Sequence, residues 1–159
     1  MRELAAEVHE RLLARGETVA TAESLTGGLV GAALTTTPGA SSTYRGGVIV
    51  YATDLKAALA GVSLELLEKR GAVDPDVACA LAVGVRDRLA ATWGLGLTGV
   101  AGPDPQDGAP VGTLFIAVAG PGGDPQVRSA VLSGGRDEIR SGAVELALTL
   151  LRDRLADAE

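Results

Sequence analysis

The order of helix and strand patterns along the chain limits it to a small set of folds. Up to the strand predicted at residues 96–100 the two kinds of pattern alternate, whereas the last three predicted strands follow one another through short connections. Strands joined through a helix pair in parallel, and strands joined by short loops pair antiparallel. We therefore expect an α/β fold, a three-layer α/β/α sandwich with a mixed, mostly parallel five-stranded sheet.

The predicted segments follow from apolar spacing and from the glycine and proline residues that interrupt it. The predicted helices cover residues 2–15, 29–36, 53–60, 63–70, 74–93 and 136–156. The predicted strands cover residues 17–22, 46–51, 96–100, 111–118 and 127–132. Because residues 46–51 form a continuous apolar run, we expect that strand to be buried on both faces of the sheet.

The composition predicts one globular domain over residues 1–159. The chain has 14 Lys and Arg residues against 20 Asp and Glu residues, which gives a net charge of −6. Its basic residues are scattered, so direct nucleic-acid binding is not expected, although one or two arginines suffice for a small anion. No apolar stretch is long enough to cross a membrane. The single cysteine, together with an N-terminus unlike a signal peptide, favours a cytoplasmic location.

A strand-to-helix turn at residues 21–28 carries side chains suited to catalysis. Ser24 and Thr26 lie in this turn, and Gly27 and Gly28 after them let another molecule approach the backbone closely. Free N–H groups at such a helix start favour an anion, either a phosphate or a developing oxyanion. The alternative interpretation is that Ser24 or Thr26 only caps the helix.

Other nucleophiles and metal ligands are scarce in this sequence. His9, the single histidine, is expected to be a surface or boundary residue of the first helix, so a Ser-His-Asp triad is not expected. Cys79 lies in an apolar helix segment and is better interpreted as a small buried side chain, and no metal site is expected. Residues 94–99 match the spelling G-x-G-x-x-G, but they lie within a predicted strand and do not form a dinucleotide-binding turn.

Lysine usage singles out one further residue. Of the 14 basic residues, only Lys56 and Lys69 are lysines, and lysine differs from arginine in that it can lose its proton when buried. Lys69 ends a charged helix and is expected to be solvated, whereas Lys56 follows an apolar strand in an apolar segment. As a base near neutral pH, Lys56 needs a pKa of about 7–8 in place of about 10.4. The alternatives are a pair with Asp54 or a side chain that reaches solvent.

Short motifs of one protein family occur in the family's order along nearly the whole chain. Residues 22–28 match A-E-S-C-T-G-G, residues 38–42 match P-G-S-S, and residues 48–56 match V-x-Y-S-N-E-A-K. Residues 71–74 match G-A-V-S, residues 98–103 match T/S-G-I-A-G-P, residues 109–113 match K-P-V-G-T, and residues 135–140 match G-D-R-x-x-x-R. On these motifs the chain resembles the C-terminal domain family of the competence/damage-inducible protein CinA, whose stand-alone members are nicotinamide mononucleotide deamidases.

The resemblance implies an α/β/α fold and hydrolysis of the carboxamide of nicotinamide mononucleotide to nicotinate mononucleotide and ammonia. No cofactor is expected, and the expected partner is a small pyridine nucleotide. The catalytic residues implied are a nucleophilic Ser24, its partner Lys56 and the nearby Tyr51. The substrate-binding residues expected with them are Thr26, Gly27, Gly28, Ser42, Thr98, Gly99, Ala101, Arg136 and Arg140.

Two of these residues, Arg136 and Arg140, are one helical turn apart, so both can reach one phosphate. The alternative for them is a solvated helix start. Small apolar α/β domains of this kind also often form homo-oligomers.

The chain departs from the family pattern at three places. Leu25 replaces the cysteine of the turn, Thr53 and Asp54 replace Asn-Glu before the lysine, and Ala109 replaces the lysine before Pro-Val-Gly-Thr. The last two departures affect expected substrate contacts. The additional N-terminal domain of two-domain relatives supplies chemistry that we do not assign to this chain. The alternative function is a catalytically weak binding or partner module associated with competence or DNA-damage response proteins.

Overall fold

Six helices, five strands and a short 3-10 turn make up the fold in a computed structural model that describes residues 1–158. The helices are α1 (Arg2–Arg15), α2 (Leu29–Leu34), α3 (Thr53–Ala60), α4 (Leu64–Arg70), α5 (Pro75–Arg88) and α6 (Arg136–Asp157). The strands are β1 (Val19–Glu23), β2 (Tyr44–Ile49), β3 (Trp93–Gly99), β4 (Thr113–Ala119) and β5 (Gln126–Val131). The 3-10 turn covers Ala40–Ser42, immediately before β2.

The five strands form one mixed sheet in the order β2-β1-β3-β4-β5. β1 pairs in parallel with both β2 and β3, and these pairings are connected through helices. β4 runs antiparallel to β3 and to β5, as expected for strands joined by short loops. The mixed five-stranded sheet is therefore confirmed, with two parallel and two antiparallel pairings, and β4 is the strand whose direction is reversed.

Helices cover both faces of the sheet, which confirms the three-layer α/β/α arrangement. On one face α1, α2 and α6 pack over a core that includes Leu12, Leu97 and Leu148. On the other face α3, α4 and α5 pack over a core that includes Val50 and Leu81. Both cores consist mainly of Ala, Val and Leu, so the helices approach the sheet closely.

The glycines of β3 explain how α5 reaches the sheet. A Cβ atom at Gly94 would lie 1.9 Å from the carbonyl oxygen of Ala82, and one at Gly96 would lie 2.6 Å from that of Ala78. Both carbonyls belong to α5, so any side chain at these glycines would push the helix away from the sheet. The G-x-G-x-x-G spelling therefore serves helix packing, and its position within a strand is confirmed.

The structure corrects the expectation for the strand predicted at residues 46–51. β2 is the edge strand of the sheet, its residues alternate between half-buried and exposed, and Ile49 is 51% exposed. A continuous apolar run does not distinguish a central strand from an edge strand, because only the pairing partners decide it. The last residues of the predicted segment, Val50 and Tyr51, lie beyond the strand and enter the functional site.

The long helix predicted at residues 74–93 is also shorter than expected. α5 begins at Pro75, with the Asp74 side chain accepting a hydrogen bond from the amide of Asp76, but it ends at Arg88. Ala90 has a positive φ of 51°, which stops the helix, and Trp93 then opens β3.

The longest helix, α6, shows why helix length alone does not indicate a membrane segment. Its buried side chains, such as Ile139, Leu148 and Leu155, face the core, while charged residues cover the opposite face. Within residues 1–158 we find no helix with both the length and the apolar character that a membrane crossing requires.

Candidate active site

A cavity of about 280 Å³ lies at the edge of the sheet where β1, β2 and β3 end. Its wall includes Ser24 after β1, Tyr51 after β2 and residues 99–102 at the end of β3. β1 lies between β2 and β3, and the connections that leave the ends of β1 and β2 cover opposite faces of the sheet. Ligands of open α/β sheets bind in such a crevice, at the carboxyl ends of the strands.

The turn that carries Ser24 is held by the carboxylate of Glu23, the last residue of β1. Glu23 Oε1 accepts hydrogen bonds from Thr26 Oγ1 at 2.6 Å and from the Val30 amide at 2.9 Å. Glu23 Oε2 accepts one from the Gly31 amide at 3.0 Å. This buried carboxylate therefore serves as the anion that the N-terminus of α2 attracts.

Thr26, Gly27 and Gly28, which were expected to bind a substrate anion, do not line the cavity, and their hydrogen bonds lie within the turn. The Gly27 amide donates to the carbonyl of Ser24 at 3.0 Å, and the Gly28 amide donates to Glu23 Oε1 at 3.3 Å. The Thr26 side chain is buried and donates to the same carboxylate. Both glycines have positive φ angles, 56° and 104°, so their role is to let the turn form.

Lys56 and Ser24 form a buried pair at the base of the cavity. Lys56 Nζ donates to Ser24 Oγ at 3.1 Å and to the carbonyl oxygen of Val50 at 2.7 Å. Lys56 lies on α3 and is only 1% exposed, and Ser24 is also buried. The alternative in which Lys56 reaches solvent is therefore excluded, and its hydrogen bonds go to Ser24 and Val50 instead of to Asp54.

Burial shifts the proton equilibrium of this lysine. Desolvation lowers the pKa of Lys56 from 10.5 to about 8, while the negative charge of Asp107 acts in the opposite direction. A lysine with this pKa is partly neutral near pH 7, and a neutral amine can accept a proton. The lowered pKa of Lys56 is therefore close to the value that a base needs near neutral pH.

Tyr51 lies at the rim of the cavity beside Arg136. Its hydroxyl accepts a hydrogen bond from Arg136 Nη2 at 3.0 Å, and its side chain is 59% exposed. Arg136 also donates from Nη1 to the carbonyl oxygen of Gly102. The Tyr51 hydroxyl is thus bonded to Arg136, and the participation of Tyr51 in catalysis stays a prediction.

Arg136 and Arg140 do not converge on one anion. Arg136 lines the cavity, whereas Arg140 donates from Nε to the carbonyl of Leu25 at 2.9 Å and from Nη2 to that of Thr26 at 3.5 Å. Arg140 therefore ties α6 to the turn that follows Ser24. In this structure Arg140 holds the turn and does not line the cavity, so its contact with a phosphate stays a prediction.

The remaining expected site residues divide between the cavity and the rest of the sheet. Gly99 and Ala101 line the cavity. Thr98 is buried and does not line it, and its hydroxyl donates to the carbonyl of Ala72 at 2.7 Å. Ser42 is exposed and precedes β2. Since β1 and β2 are parallel, Ser42 lies at the opposite edge of the sheet and does not line this cavity, and its contact with substrate stays a prediction.

A loop over residues 103–110 supplies cavity residues that the sequence does not single out. Asp104 and Gln106 line the cavity, and Asp107 Oδ2 accepts a hydrogen bond from the Ala72 amide at 3.1 Å. The available signal was the position of this loop directly after β3, at the carboxyl edge of the sheet. Of the departures from the family pattern, Thr53 lines the cavity, whereas Asp54 and Ala109 are not among its lining residues.

The other reactive side chains are placed elsewhere. His9 lies on α1, and its Nδ1 is hydrogen-bonded at 2.7 Å to Oγ1 of Thr43, the residue before β2. The His9 side chain is buried. Cys79 on α5 is half-buried against the alanine-rich part of the core, and burial raises the pKa of its thiol. Residues 1–158 contain no group of three or more His, Cys, Asp or Glu residues arranged to hold a metal ion.

Comparison with known proteins places this site in a family. The CinA C-terminal domain family matches residues 1–155 of the chain. A CinA-like protein of Frankia casuarinae is 53% identical over 145 residues, and the match covers 91% of this chain and 33% of that protein. A CinA-like protein of Thermosynechococcus vestitus is 47% identical over 158 residues, covering 96% of this chain and 37% of that protein. The chain thus spans about a third of the length of these relatives.

Solved structures agree with this assignment over nearly the whole chain. A competence damage-inducible protein from Klebsiella pneumoniae has 31% identity and a TM-score of 0.93, with 98% of this chain and 96% of that chain covered. A competence/damage inducible protein from Agrobacterium tumefaciens has 34% identity and a TM-score of 0.92, with 98% and 94% covered. Sequence, fold and the order of motifs all lead to one conclusion: the chain belongs to the CinA C-terminal domain family.

Proposed function

We propose that this chain is a nicotinamide-nucleotide amidohydrolase that converts nicotinamide mononucleotide to nicotinate mononucleotide and ammonia. The observation that carries the proposal is the 3.1 Å hydrogen bond between Lys56 Nζ and Ser24 Oγ at the base of a cavity. A serine next to a lysine with a lowered pKa is an activated nucleophile. An amidohydrolase that works through an acyl-enzyme needs such a nucleophile, together with room for an acyl group beside it.

In the first half-reaction, Ser24 Oγ attacks the carboxamide carbon while neutral Lys56 takes the hydroxyl proton. The tetrahedral intermediate then collapses, the C–N bond breaks, and the lysine ammonium gives its proton to the departing nitrogen, which leaves as ammonia. The product that remains is a nicotinoyl ester on Ser24. The hydrogen bond from Lys56 to the Val50 carbonyl, at 2.7 Å, keeps the amine oriented during both proton transfers.

In the second half-reaction, water attacks the ester carbon and neutral Lys56 accepts a proton from it. The ester bond breaks, Lys56 returns the proton to Ser24 Oγ, and nicotinate mononucleotide is released. One residue thus serves as base and then as acid in each half-reaction, which needs a pKa near the operating pH. The lowered pKa of Lys56, about 8, suits both directions of transfer.

The negative oxygen of the intermediate requires hydrogen-bond donors close to Ser24. Among the described residues, the backbone N–H of Leu25 has no protein acceptor, and Leu25 lines the cavity. In many acyl-transfer enzymes the amide after the nucleophile contributes to the oxyanion hole. We assign this donor to Leu25, because the amides of Gly27 and Gly28 are used within the turn.

The phosphate of the substrate is assigned to Arg136. It is the first residue of α6, and its guanidinium lines the cavity between Tyr51 and Gly102. The residue before this helix, Gly135, has no side chain to cap it, and although Asp137 and Glu138 lie in the first turn, the guanidinium of Arg136 supplies a cation for the phosphate. Tyr51 orients Arg136 and closes that side of the cavity.

Release of ammonia from nicotinamide mononucleotide tests the proposal. The wild-type chain should release one ammonia per nicotinate mononucleotide formed, and Ser24→Ala should lose turnover while binding the substrate with nearly unchanged affinity. Thermal melting checks that the variant is folded. A Ser24→Ala protein with more than a small fraction of the wild-type rate would exclude Ser24 as nucleophile. A wild-type chain without any turnover would favour the binding-module alternative.

A further inference from the structure

The wall of the cavity carries two opposite charges. Among the described residues that line it, Arg136 is the one cationic side chain and Asp104 the one anionic side chain. Lys56 lies below Ser24, almost fully buried, and is not part of the wall. Arg136 is already assigned to the phosphate, which leaves the carboxylate of Asp104 without a function in the proposed reaction.

The backbone around Asp104 is fixed at several points. Before it, the Gly102 carbonyl accepts a hydrogen bond from Arg136. After it, the backbones of Gln106 and Ala109 exchange two hydrogen bonds, at 3.1 and 2.8 Å, and Asp107 is bonded to the Ala72 amide. Asp104 therefore belongs to a wall that is held in place.

The carboxylate of Asp104 itself is available to a ligand. Asp104 is an exposed residue of the cavity wall, and within residues 1–158 its side chain has neither an ion pair nor a hydrogen bond. An unpaired carboxylate in a cavity wall attracts a cation or a hydrogen-bond donor. The chemistry of the substrate decides between the two.

Nicotinamide mononucleotide carries charges that match those of the wall. Its phosphate is an anion, and the ring that bears the carboxamide contains a quaternary nitrogen, which makes the ring a pyridinium cation. With the carboxamide at Ser24 and the phosphate at Arg136, the ring lies inside the cavity, whose one anionic side chain is Asp104. A phosphate-to-Arg136 contact and a ring-to-Asp104 contact complement both charges of one molecule.

We infer that Asp104 is a specificity-determining residue that pairs with the pyridinium ring, so that the site selects charged pyridinium carboxamides over neutral ones. The inference rests on the proposed function. It differs from a hydrogen bond between Asp104 and the ribose hydroxyls, which would hold charged and neutral substrates equally. The ring charge is therefore the quantity to vary.

The test compares nicotinamide mononucleotide with its 1,4-dihydro form, which keeps the phosphate, ribose and carboxamide but has a neutral ring. Binding is measured by calorimetry at low ionic strength on Ser24→Ala protein, so that turnover does not interfere. Adding Asp104→Asn should weaken binding of the charged form by about 3- to 5-fold and change binding of the dihydro form less than about 2-fold. Asp104→Glu, which keeps the charge, should retain most of the preference.

The matched control is Asp124→Asn, which removes the same charge from an exposed position between β4 and β5. Because β4 is antiparallel to β3, this turn lies at the sheet edge opposite the cavity, and the variant should bind both forms like its parent. Equal weakening of both forms by Asp104→Asn, or no weakening of either, would overturn the inference. If Ser24→Ala protein with an intact Asp104 binds neither nucleotide, the proposed function fails first and the inference fails with it.

Discussion

The two lysines of this chain lie in contrasting surroundings. Lys69, in the last turn of α4, is 70% exposed and pairs with Glu65 at 2.7 Å across one helical turn. Lys56, in α3, is 1% exposed, bonds a serine hydroxyl and a backbone carbonyl, and has a pKa lowered to about 8. The same side chain is therefore a solvated charge in one region and a buried amine with a lowered pKa in the other. Burial, not residue type, makes the difference.

The largest expected effect is on turnover when the two lysines are replaced. Lys56→Ala should reduce kcat/KM by at least about 1,000-fold, since it removes the base that activates the nucleophile. Lys56→Arg should be nearly as inactive, because a guanidinium does not give up its proton. The measurement is ammonia release from nicotinamide mononucleotide, with thermal melting to exclude unfolding.

Lys69→Arg is the matched control for this comparison. The exposed end of α4 needs only a solvated cation, so this variant should have the wild-type rate. If Lys69→Arg lost activity comparably, the contrast between the two lysines would have no catalytic meaning.

The next largest effect is expected for Arg136, which lines the cavity, in contrast to Arg140, which bonds the turn after Ser24. Arg136→Ala should raise KM for nicotinamide mononucleotide by about 10- to 100-fold and leave the phosphate-free riboside nearly unaffected, since charge-assisted hydrogen bonds contribute about 1.5–3 kcal/mol. Arg140→Ala should affect both substrates alike, because Arg140 bonds the carbonyls of Leu25 and Thr26. Steady-state kinetics on the two substrates checks both expectations, and a uniform effect of Arg136→Ala would remove it from the phosphate site.

The sequence singles out Ser24 and Lys56, which the structure brings together, because both signals are local. Ser24 follows a strand in a glycine-rich turn, and Lys56 is a lysine in an apolar segment of a chain that otherwise uses arginine. The role of Glu23 has no local signal, since nothing in its neighbours indicates that its carboxylate turns back onto the start of α2. Spacing on a helix likewise did not separate Arg136 from Arg140, because the partner of Arg140 lies in the distant turn at Leu25.

Sheet position is the second limit of prediction from sequence. The alternation of helices and strands is sufficient for the layers and for the mixed sheet. It does not tell which strand lies at an edge, so β2 was expected to be buried on both faces. Ser42 was expected at the site because of the family motif at residues 38–42, and a motif does not tell at which edge of the sheet its residues lie.

A smaller effect is expected on stability. Burying a charged Lys56 costs about 3 kcal/mol at pH 7, the equivalent of lowering its pKa from 10.5 to about 8. Lys56→Met removes this cost but leaves the Val50 carbonyl without its donor, at about 1 kcal/mol, so the variant should be more stable by about 1–2 kcal/mol. Chemical denaturation at pH 7 measures the difference. A Lys56→Met protein that is less stable than the wild type would contradict the burial cost.

The difference in unfolding free energy between the wild type and Lys56→Met should change with pH in a definite direction. Below pH 8 the folded state holds a protonated buried lysine and the cost is present in full. Between pH 8 and 10.5 the folded lysine releases its proton while the unfolded one keeps it, so the unfolded chain binds more protons. The unfolding free energy of the wild type should therefore rise with pH across this range relative to Lys56→Met. Relative to Lys69→Met the wild type should show no such rise, because both proteins keep Lys56.

The central claim is that Lys56 is neutral when Ser24 attacks, and the pH profile of kcat/KM tests it most directly. For the wild-type chain and for Lys69→Arg, kcat/KM on nicotinamide mononucleotide should rise with pH through about 8 and then level off, as the amine of Lys56 loses its proton. Lys56→Arg should show no such rise and almost no activity at any pH. A folded Lys56→Arg protein that is active and keeps the same rise would show that another group accepts the proton and would contradict the Ser24–Lys56 mechanism.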